Sequence, residues 1–353
     1  MVFRRIPYVV LQALLNLEFF VKKVKKFFFF TEIPAHDFID SDYLLARRQN
    51  SKLNEKDTEF VFKEKGKGEY GYRYRARYEL HLTNVVANSV SGNVYLDGNR
   101  FVKESSSWPS SEISKDSYNG SDIFKYYSSV NYKYKENSVI LPSSNFYHWL
   151  IEDLPRFLFT YSYSYNEFVT IVHWASPRYV LDIVKILNLN LNYVPRIVTV
   201  PKLILASKNP ETGYPNPYDI QLLRKLLLPR ELESGVFKIY VSRLNSSRSP
   251  KWEKQLIAIL KDEGWKIVQC EKLSLMNQIS VFAQGSVICG VHGAGLSGIA
   301  WAKGKIQVIE LRQSFRSDCF LRLSQVLGLR HFIIETDSKS VHDIARKIFE
   351  IAQ

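Results

Sequence analysis

The last third of the chain alternates between short apolar runs and helical patterns, and this alternation constrains the fold more than any other feature. Strands that alternate with helices of about 10 to 15 residues are typical of βαβ units, which build a parallel sheet with helices on both faces. The pattern therefore predicts an α/β, doubly wound parallel sheet, with strands over 238–242, 265–270, 286–289, 305–310 and 331–334 and helices over 251–263, 273–283, 296–302, 319–327 and 341–352.

A glycine-rich turn, Cys289-Gly-Val-His-Gly-Ala-Gly-Leu296, interrupts this pattern between a strand and the next helix. Parallel sheets bind ligands at the carboxyl ends of their strands, and bare N–H groups at the start of a helix stabilise an anion. A phosphate-bearing ligand is the leading hypothesis. The alternative is a tight turn that needs glycine without binding anything.

A second group of polar residues follows the apolar run Val139–Leu141, on a helix that we expect to open near Ser144. Asn145, His148 and Glu152 share one face of this helix, while Asp153 points about 100° away from Glu152. A histidine one turn before a carboxylate is typical of a general-base pair. The alternative is a buried His–Glu hydrogen bond that ties the helix to the other domain.

Two further features bear on that helix. Pro155 is expected to end or bend it. The motif offers only two ligands for zinc, so a metal site is disfavoured.

The remaining candidate binding residues lie at the ends of strands in the last third of the chain. Arg243 follows a strand, with Arg248 and Lys251 close behind, and guanidinium groups there would neutralise a diphosphate. Glu310 ends another strand, where a carboxylate can accept hydrogen bonds from ribose or, alternatively, cap a helix. The Asp40-Ser-Asp42 segment matches a metal-binding pattern of sugar transferases, but it lies in a charged region without clear periodicity and carries little weight.

The formal net charge of +13 requires an anionic partner: nucleic acid, a membrane surface or a phosphorylated substrate. Nucleic acid is excluded as the preferred partner because the sequence contains no signature of a nucleic-acid-binding fold. Part of the charge lies in residues 1–30, which form a basic amphipathic pattern. We expect this helix to bind an anionic membrane surface, or alternatively the protein's own body or a dimer partner, because polar residues make it too short for a span of about 20 residues.

The rest of the chain is organised less regularly. We expect a charged connecting region over 35–70, a hairpin at Asp97-Gly98 and a polar loop over 104–122. A domain boundary near 229–235 then divides the chain into a basic amphipathic helix at 1–34, an N-terminal α/β domain at 35–232 and a C-terminal Rossmann-like domain at 233–353. Three cysteines without a C-x-x-C pair favour a reducing compartment and predict a cytoplasmic protein on the inner membrane face.

Taken together, these motifs resemble glycosyltransferase family 61. The resemblance covers about residues 75 to 335 and rests on two blocks, Asn145-x-x-His148-Trp-Leu-x-Glu152-x-Leu-Pro-Arg156 and His292-Gly-Ala-Gly-Leu296 with Val308-Ile-Glu310. Val241-Ser-Arg243 with Arg248 is similar to the family's basic segment. The resemblance implies a GT-B fold, in which two Rossmann-like domains face each other across a cleft and the C-terminal one binds a nucleotide sugar.

The resemblance also implies an inverting, metal-independent transfer of a hexosyl or pentosyl group, with a nucleotide diphosphate sugar as donor substrate and no cofactor. The acceptor would be a hydroxyl of a glycan or a lipid-linked saccharide in surface or capsular polysaccharide biosynthesis. The alternatives are a non-catalytic scaffold that keeps the fold and a phosphotransferase, although the sequence has no P-loop.

On this hypothesis each site residue has an expected role. Glu152, or His148 oriented by it, is the base, and His292 is a catalytic or phosphate contact. The donor would be bound by Arg243, Arg248, Gly293, Ala294, Gly295 and Glu310, and the acceptor would lie near Asn145, Asp153 and Arg156.

Overall fold

A computed structural model shows how the chain folds over the greater part of its length. It describes residues 31–33, 47–49, 58–64, 68–74, 78–96, 100–102, 105, 130–131, 136–163, 168–208, 212–313 and 317–353. The expected amphipathic helix at 1–30, the Asp40-Ser-Asp42 segment and the expected polar loop at 104–122, apart from Ser105, lie outside these residues.

Strands and helices alternate through most of the described chain, so the expected α/β class is confirmed. The strands are β1 Thr31–Ile33, β2 Arg47–Gln49, β3 Thr58–Glu64, β4 Gly68–Tyr74, β5 Tyr78–Asn88, β6 Val94–Leu96, β7 Arg100–Val102, β8 Val130–Asn131, β9 Ser138–Ile140, β10 Val169–His173, β11 Leu191–Val194, β12 Ile197–Ala206, β13 Phe237–Val241, β14 Lys266–Val268, β15 Gly285–Val291, β16 Gln307–Arg312 and β17 Arg330–Glu335.

The α-helices are α1 Phe146–His148, α2 Leu154–Tyr163, α3 Arg178–Ile186, α4 Pro217–Leu227, α5 Glu253–Asp262, α6 Leu275–Ala283, α7 Cys319–Val326 and α8 Val341–Ile351. A π-helix, Trp149–Asp153, joins α1 to α2, and Cys270–Lys272 and Ala294–Trp301 are 3₁₀-helices. The segment after the glycine turn, expected to be an ordinary helix over 296–302, is therefore the second of these 3₁₀-helices.

The C-terminal sheet is the doubly wound parallel sheet that the sequence predicts. Its five strands are all parallel and lie in the order β14-β13-β15-β16-β17. Successive residues of β13 face opposite cores: Ile239 and Val241 pack with α6 and α7, whereas Tyr240 packs with α5 and α8. Helices therefore cover both faces, which explains why these strands are apolar on both sides.

The strand order determines where this sheet can bind a ligand. Counted along the chain from β13, the spatial order is 2-1-3-4-5, so the direction of winding reverses between β13 and β15. Ligands of doubly wound sheets bind beyond the carboxyl ends of the strands at such a reversal. Arg243 follows β13 and His292 follows β15, so both flank this position.

The N-terminal sheet is mixed rather than uniformly parallel. In the described residues it has ten strands, eight of them in the order β1-β7-β6-β5-β12-β9-β10-β11, while β2 pairs with β5 and β8 with β12. β12, β9, β10 and β11 run parallel to one another, whereas β5 pairs antiparallel with β12 over most of its length. β6 and β7, the strands on either side of the expected hairpin, pair antiparallel as predicted, while Asp97-Gly98 itself lies outside the described residues.

The helix that carries His148 does not end at Pro155, so of the two expected effects of this proline, an end or a bend, termination is wrong. The helical course continues to Tyr163, and the five residues Trp149–Asp153 immediately before α2 form π-helix. Proline lacks an N–H and its ring meets the carbonyl four residues earlier. The wider π turn accommodates the ring without terminating the helix.

Apolar side chains from both halves of the chain form one continuous core. Trp149 and Leu223 from the N-terminal half pack in the same cluster as Leu296, Trp301 and Phe320 from the C-terminal half. Polar contacts reinforce this packing: Arg224 on α4 donates to the carbonyls of Ala300 and Ala302 at 2.6 and 2.7 Å. The helix that begins at Phe146 therefore packs directly against the 3₁₀-helix that follows the glycine turn.

The region expected to connect the N-terminal segment to the first domain contains more structure than its sequence indicates. β3 and β4 form an antiparallel pair within or next to it, and β2 pairs with β5. The sequence analysis also did not predict the short strand β11. Over the ranges that the structure describes, no helix has the length and apolar character needed to span a membrane.

Candidate active site

His148 and Glu152 form a hydrogen-bonded pair at the start of the helix that follows β9. His148 Nδ1 lies 3.0 Å from Glu152 Oε1. The imidazole is 36% exposed, whereas the carboxylate is only 2% exposed. The histidine therefore presents a ring to solvent while the glutamate holds that ring from behind.

A loop between β12 and α4 completes the surroundings of Glu152. The backbone N–H of Gly213 donates to Oε1 at 2.7 Å, and the Thr212 hydroxyl lies 3.1 and 3.2 Å from the two carboxylate oxygens. Thr212 also lies 3.1 Å from His148 Nδ1. Sequence analysis missed both residues; the signal was the breaker-rich stretch 209–217, in which Gly213 has a φ of +78° that favours glycine.

Burial and the neighbouring carboxylates have opposite effects on the pKa of His148. Burial opposes the charged imidazolium, but the hydrogen bond and charge of Glu152, helped by Asp153, raise the pKa of His148 above its ordinary value. The positive charge of Lys208 lowers the pKa of His148 and so offsets part of this rise. A histidine with a raised pKa and a fixed Nδ1 partner is suited to accept a proton at its other ring nitrogen.

Glu152 and Asp153 are adjacent in the π-helix Trp149–Asp153, but their carboxylates lie in different environments. Asp153 accepts a hydrogen bond from Ser144 Oγ at 2.5 Å and forms a 2.8 Å ion pair with Lys208. It is only 1% exposed, so its charge is compensated inside the protein. Single π turns are frequent at functional sites, where they redirect side chains.

Two of the three residues expected on the acceptor side are internal. Asp153 belongs to the ion pair with Lys208, and buried Arg156 donates to the carbonyls of Ala206 and Ser105. Asn145 is exposed, but its side chain also caps α1 by accepting from the Tyr147 N–H at 3.2 Å. Of these three residues, only Asn145 is exposed, so it is the one that a substrate can contact directly.

The glycine turn brings Arg243 against its backbone. A Cβ placed on Gly293 would lie 2.7 Å from Cζ of Arg243, and the guanidinium donates a hydrogen bond to the His292 carbonyl. A Cβ on Gly295 would lie 2.9 Å from Val241 Cγ1, so this glycine serves close packing on β13. The Arg243 cation therefore lies beside the start of the 3₁₀-helix, where the first N–H groups have no partner within the helix.

A buried carboxylate that sequence analysis missed organises the Arg243 loop. Glu253 Oε1 accepts from the backbone N–H of Arg243 at 2.6 Å and from the Tyr240 hydroxyl at 3.2 Å. Its Oε2 accepts from Ser249 Oγ at 2.6 Å. Arg248 lies on the same loop with its side chain exposed.

His292 is the exposed end of a buried hydrogen-bond network centred on Glu310. His292 Nδ1 lies 2.5 Å from Glu310 Oε1, while Oε2 contacts His331 Nε2 at 3.0 Å and Arg312 at 2.9 Å. Glu310 has no exposed surface, so it stands beneath His292 rather than at the surface where we expected it to meet a ribose. Burial opposes its ionisation, but these hydrogen bonds and the charge of Arg312 hold the pKa of Glu310 well below its usual range.

A chain of aromatic contacts joins the two histidine clusters across the shared core. The rings of His148 and Tyr147 lie 5.3 Å apart, Tyr147 and Phe320 lie 5.4 Å apart, and Phe320 and His292 lie 5.1 Å apart. All three contacts are edge-to-face, a favourable geometry for aromatic rings. The structure thus brings the His148–Glu152 pair and the glycine turn to one region, although 144 residues separate the two histidines in the sequence.

Among the described residues, no group of three or more His, Cys, Asp or Glu side chains is arranged to hold a metal ion. Several cationic side chains lie near these groups: Arg243 contacts the glycine turn, Lys208 pairs with Asp153, Arg312 pairs with Glu310, and Arg322 lies close to Gly213.

Comparison with known families assigns this region. Residues 146–309 match the family model described as Glycosyltransferase 61. The matched range begins at the first residue of α1 and ends beside Glu310, so it contains His148, Glu152, Arg243 and the glycine turn. A search of curated proteins finds no match to the chain.

Proposed function

We propose that this chain, whose residues 146–309 match the Glycosyltransferase 61 model, is a glycosyltransferase that moves a hexosyl or pentosyl group from a nucleotide diphosphate sugar to a hydroxyl of a glycan or lipid-linked acceptor. A glycosyltransferase binds a sugar donor and an acceptor. The observation that carries the proposal is the convergence of a His–Glu pair with an arginine-lined glycine turn on either side of the Tyr147–Phe320 contact.

The donor diphosphate is assigned to the turn at the carboxyl end of β15. The N–H groups of Gly293, Ala294 and Gly295 and the guanidinium of Arg243 meet at the reversal of strand order, where doubly wound sheets bind ligands. Exposed Arg248 adds positive charge on the same side. These groups stabilise the charge that develops on the leaving diphosphate, so the transfer proceeds without a bound metal.

His148 is assigned as the base and Glu152 as the group that orients it. The exposed imidazole can reach an acceptor hydroxyl, whereas the carboxylate is buried and already accepts from Thr212, Gly213 and His148. His148 removes the acceptor proton, the acceptor oxygen forms a bond to C1, and the C1–O bond to the diphosphate breaks. One in-line displacement inverts the configuration at C1.

The roles of the remaining residues follow from where their side chains lie. His292 contacts the donor phosphate, and Glu310 positions His292 instead of binding ribose, because no surface of the carboxylate is exposed. Acceptor contact is assigned to Asn145, while Asp153 and Arg156 support the helix through buried partners.

The large-scale organisation that we propose is a GT-B arrangement, with residues 35–232 as the acceptor-side domain and 233–353 as the donor-binding domain. The common core formed by both halves supports a version of this arrangement in which substrate enters without wide separation of the domains.

We further propose that the basic residues 1–30 attach the enzyme to the cytoplasmic face of the membrane, where it serves surface or capsular polysaccharide synthesis. The formal net charge of +13 supports the attachment. Deletion of residues 1–30 should release the protein from vesicles that contain anionic lipid; if the truncated protein still floats with them, the proposed attachment is wrong.

A donor panel tests the central proposal. One or a few nucleotide diphosphate sugars should raise the melting temperature, since a ligand at about 100 times its Kd adds roughly 2.7 kcal/mol of stability. The same donors should release nucleoside diphosphate when glycan acceptors are added. A donor that binds without transfer would favour the scaffold alternative, and a phosphorylated acceptor would favour the phosphotransferase.

A further inference from the structure

Glu310 is shared by two histidines that reach it from opposite sides. His292, at the end of β15, contacts Oε1, and His331, on β17, contacts Oε2. The carboxylate has no exposed surface, the His331 side chain is 2% exposed and the His292 side chain is 18% exposed. A ligand in the site can therefore reach His292 but not the two groups behind it.

The charge of Glu310 determines where the ring protons lie. Arg312 donates to Glu310 at 2.9 Å and to Asp318 at 2.6 Å, and the hydrogen bonds keep Glu310 ionised. An ionised carboxylate only accepts hydrogen bonds. Both histidines must therefore direct an N–H at it, from Nδ1 of His292 and from Nε2 of His331.

His331 has a second hydrogen-bond partner on its other ring nitrogen. Ser324 Oγ lies 2.8 Å from His331 Nδ1 and can donate to it. The Arg312 guanidinium contacts the same carboxylate oxygen as His331. A His331 ring with its proton on Nε2 satisfies Ser324 and Glu310 together.

We propose that His331 is a positioning residue for His292: by occupying Oε2 of Glu310, it limits the attraction of the carboxylate for the protonated His292 ring, whose Nδ1–H meets Oε1 and whose Nε2–H is left to donate to the donor diphosphate. The significance for donor binding rests on the proposed function, whereas the state of the His292 ring can be measured without any sugar. The other groups that bear on the His292 titration are Arg312, Asp318 and the Cys319 thiol around Glu310, and Arg243 at the His292 carbonyl.

Long-range 1H–15N spectra of histidine-labelled protein, recorded across pH, test this proposal. The chain has seven histidines, so His292 can be assigned with a single His292→Gln variant. In His331→Leu the carboxylate loses a donor, so its attraction for protonated His292 should increase and the His292 titration should move to higher pH. In His331→Gln the amide nitrogen replaces Nε2, so the midpoint should stay close to that of the parent protein.

The comparison of the two variants separates positioning from packing. An unchanged midpoint in a folded His331→Leu protein, or the same shift in both variants, overturns the proposal. If His331→Leu does not fold, His331→Asn gives the answer: the shorter amide does not reach Glu310 Oε2, so the His292 titration should move in the direction expected for His331→Leu, and an unmoved titration overturns the proposal.

Measurements of enzymatic activity test the role of His331 independently of the spectra. In an active enzyme, His331→Leu should move the pH dependence of donor KM in the same direction as the His292 midpoint, and His331→Gln should restore it. If no donor is turned over by the parent protein but the His292 midpoint still shifts, the proposed function fails while the coupling of His331 to His292 stands.

Discussion

The guanidinium of Arg243 occupies the space that a side chain at Gly293 would need. An ideal Cβ on Gly293 would lie 2.7 Å from both Cζ and one terminal nitrogen of Arg243. The φ of Gly293 is 166°, which is extended backbone open to any residue, so the requirement for glycine is one of space. The contact joins the ends of β13 and β15 at the position where the sheet can hold a diphosphate.

Gly293→Ala should therefore weaken donor binding more than it weakens the fold. The methyl group meets the movable end of an arginine, so the guanidinium shifts and the backbone stays in place. Loss of a hydrogen-bonded charge corresponds to about a tenfold weaker donor affinity. Calorimetric titration of the donor measures this change.

Gly264→Ala is the matched control for that substitution. Gly264 has a φ of +76° and no atom within 4 Å of its Cβ position, so alanine there strains the backbone without reaching the site. It should cost about 1 kcal/mol of stability and leave donor affinity unchanged. Equal donor affinities in the two variants would contradict the assignment of the turn.

His148→Gln should lower kcat by about 10²- to 10⁴-fold, the usual contribution of a positioned base. Glu152→Gln keeps the shape of the side chain but removes the charge that orients His148, and it should also suppress turnover. Donor affinity should remain near that of the parent enzyme in both variants, because neither side chain touches the glycine turn. Near-normal turnover by Glu152→Gln on a defined acceptor would show that the pair does not supply the base.

As the pH rises, loss of the proton from His148 should increase enzymatic activity and decrease the stability of the folded protein. The base must be neutral, so kcat/KM should rise with pH through a value above the ordinary histidine pKa of 6.5. Because the folded-state pKa is raised, protonated His148 adds stability below about pH 6.5, and this contribution is lost as the pH rises through the folded-state pKa. Glu152→Gln should move the rise in kcat/KM to lower pH; a rise that stays in place would exclude His148 as its source.

Arg224→Met should destabilise the protein because it removes both hydrogen bonds to the end of the 3₁₀-helix. The carbonyls of Ala300 and Ala302 lose a charged donor, and the expected cost is about 1 to 3 kcal/mol. Lys225→Met, at the exposed neighbouring position, is the control and should change stability little. Urea denaturation of both variants makes the comparison, and equal midpoints would show that this contact does not join the two halves.

Much of the C-terminal sheet was predictable because its signals are local. Strand β16 and helix α8 fall within two residues of their expected bounds, since each carries its own apolar periodicity. The pairing of His148 with Glu152 was equally accessible, because a spacing of four residues brings side chains together on any helix.

The N-terminal sheet was less predictable for the opposite reason. The antiparallel pairing of β5 with β12 joins segments more than a hundred residues apart, and neither strand encodes its partner. The course of the helix beyond Pro155 depended on a π turn, which no local pattern indicated.

The sequence by itself determined which residues could carry chemistry, namely His148, Glu152, Arg243 and His292, because residue type and local spacing are properties of the chain. Only the tertiary structure decided what each of them touches. Glu310 was expected at the surface, yet strand pairing buries it between His292 and His331, and a buried carboxylate must be matched by donors that arrive from other strands. Thr212 and Gly213 reach Glu152 from 60 or more residues away, so only the folded chain shows that the carboxylate is occupied and that the imidazole remains exposed.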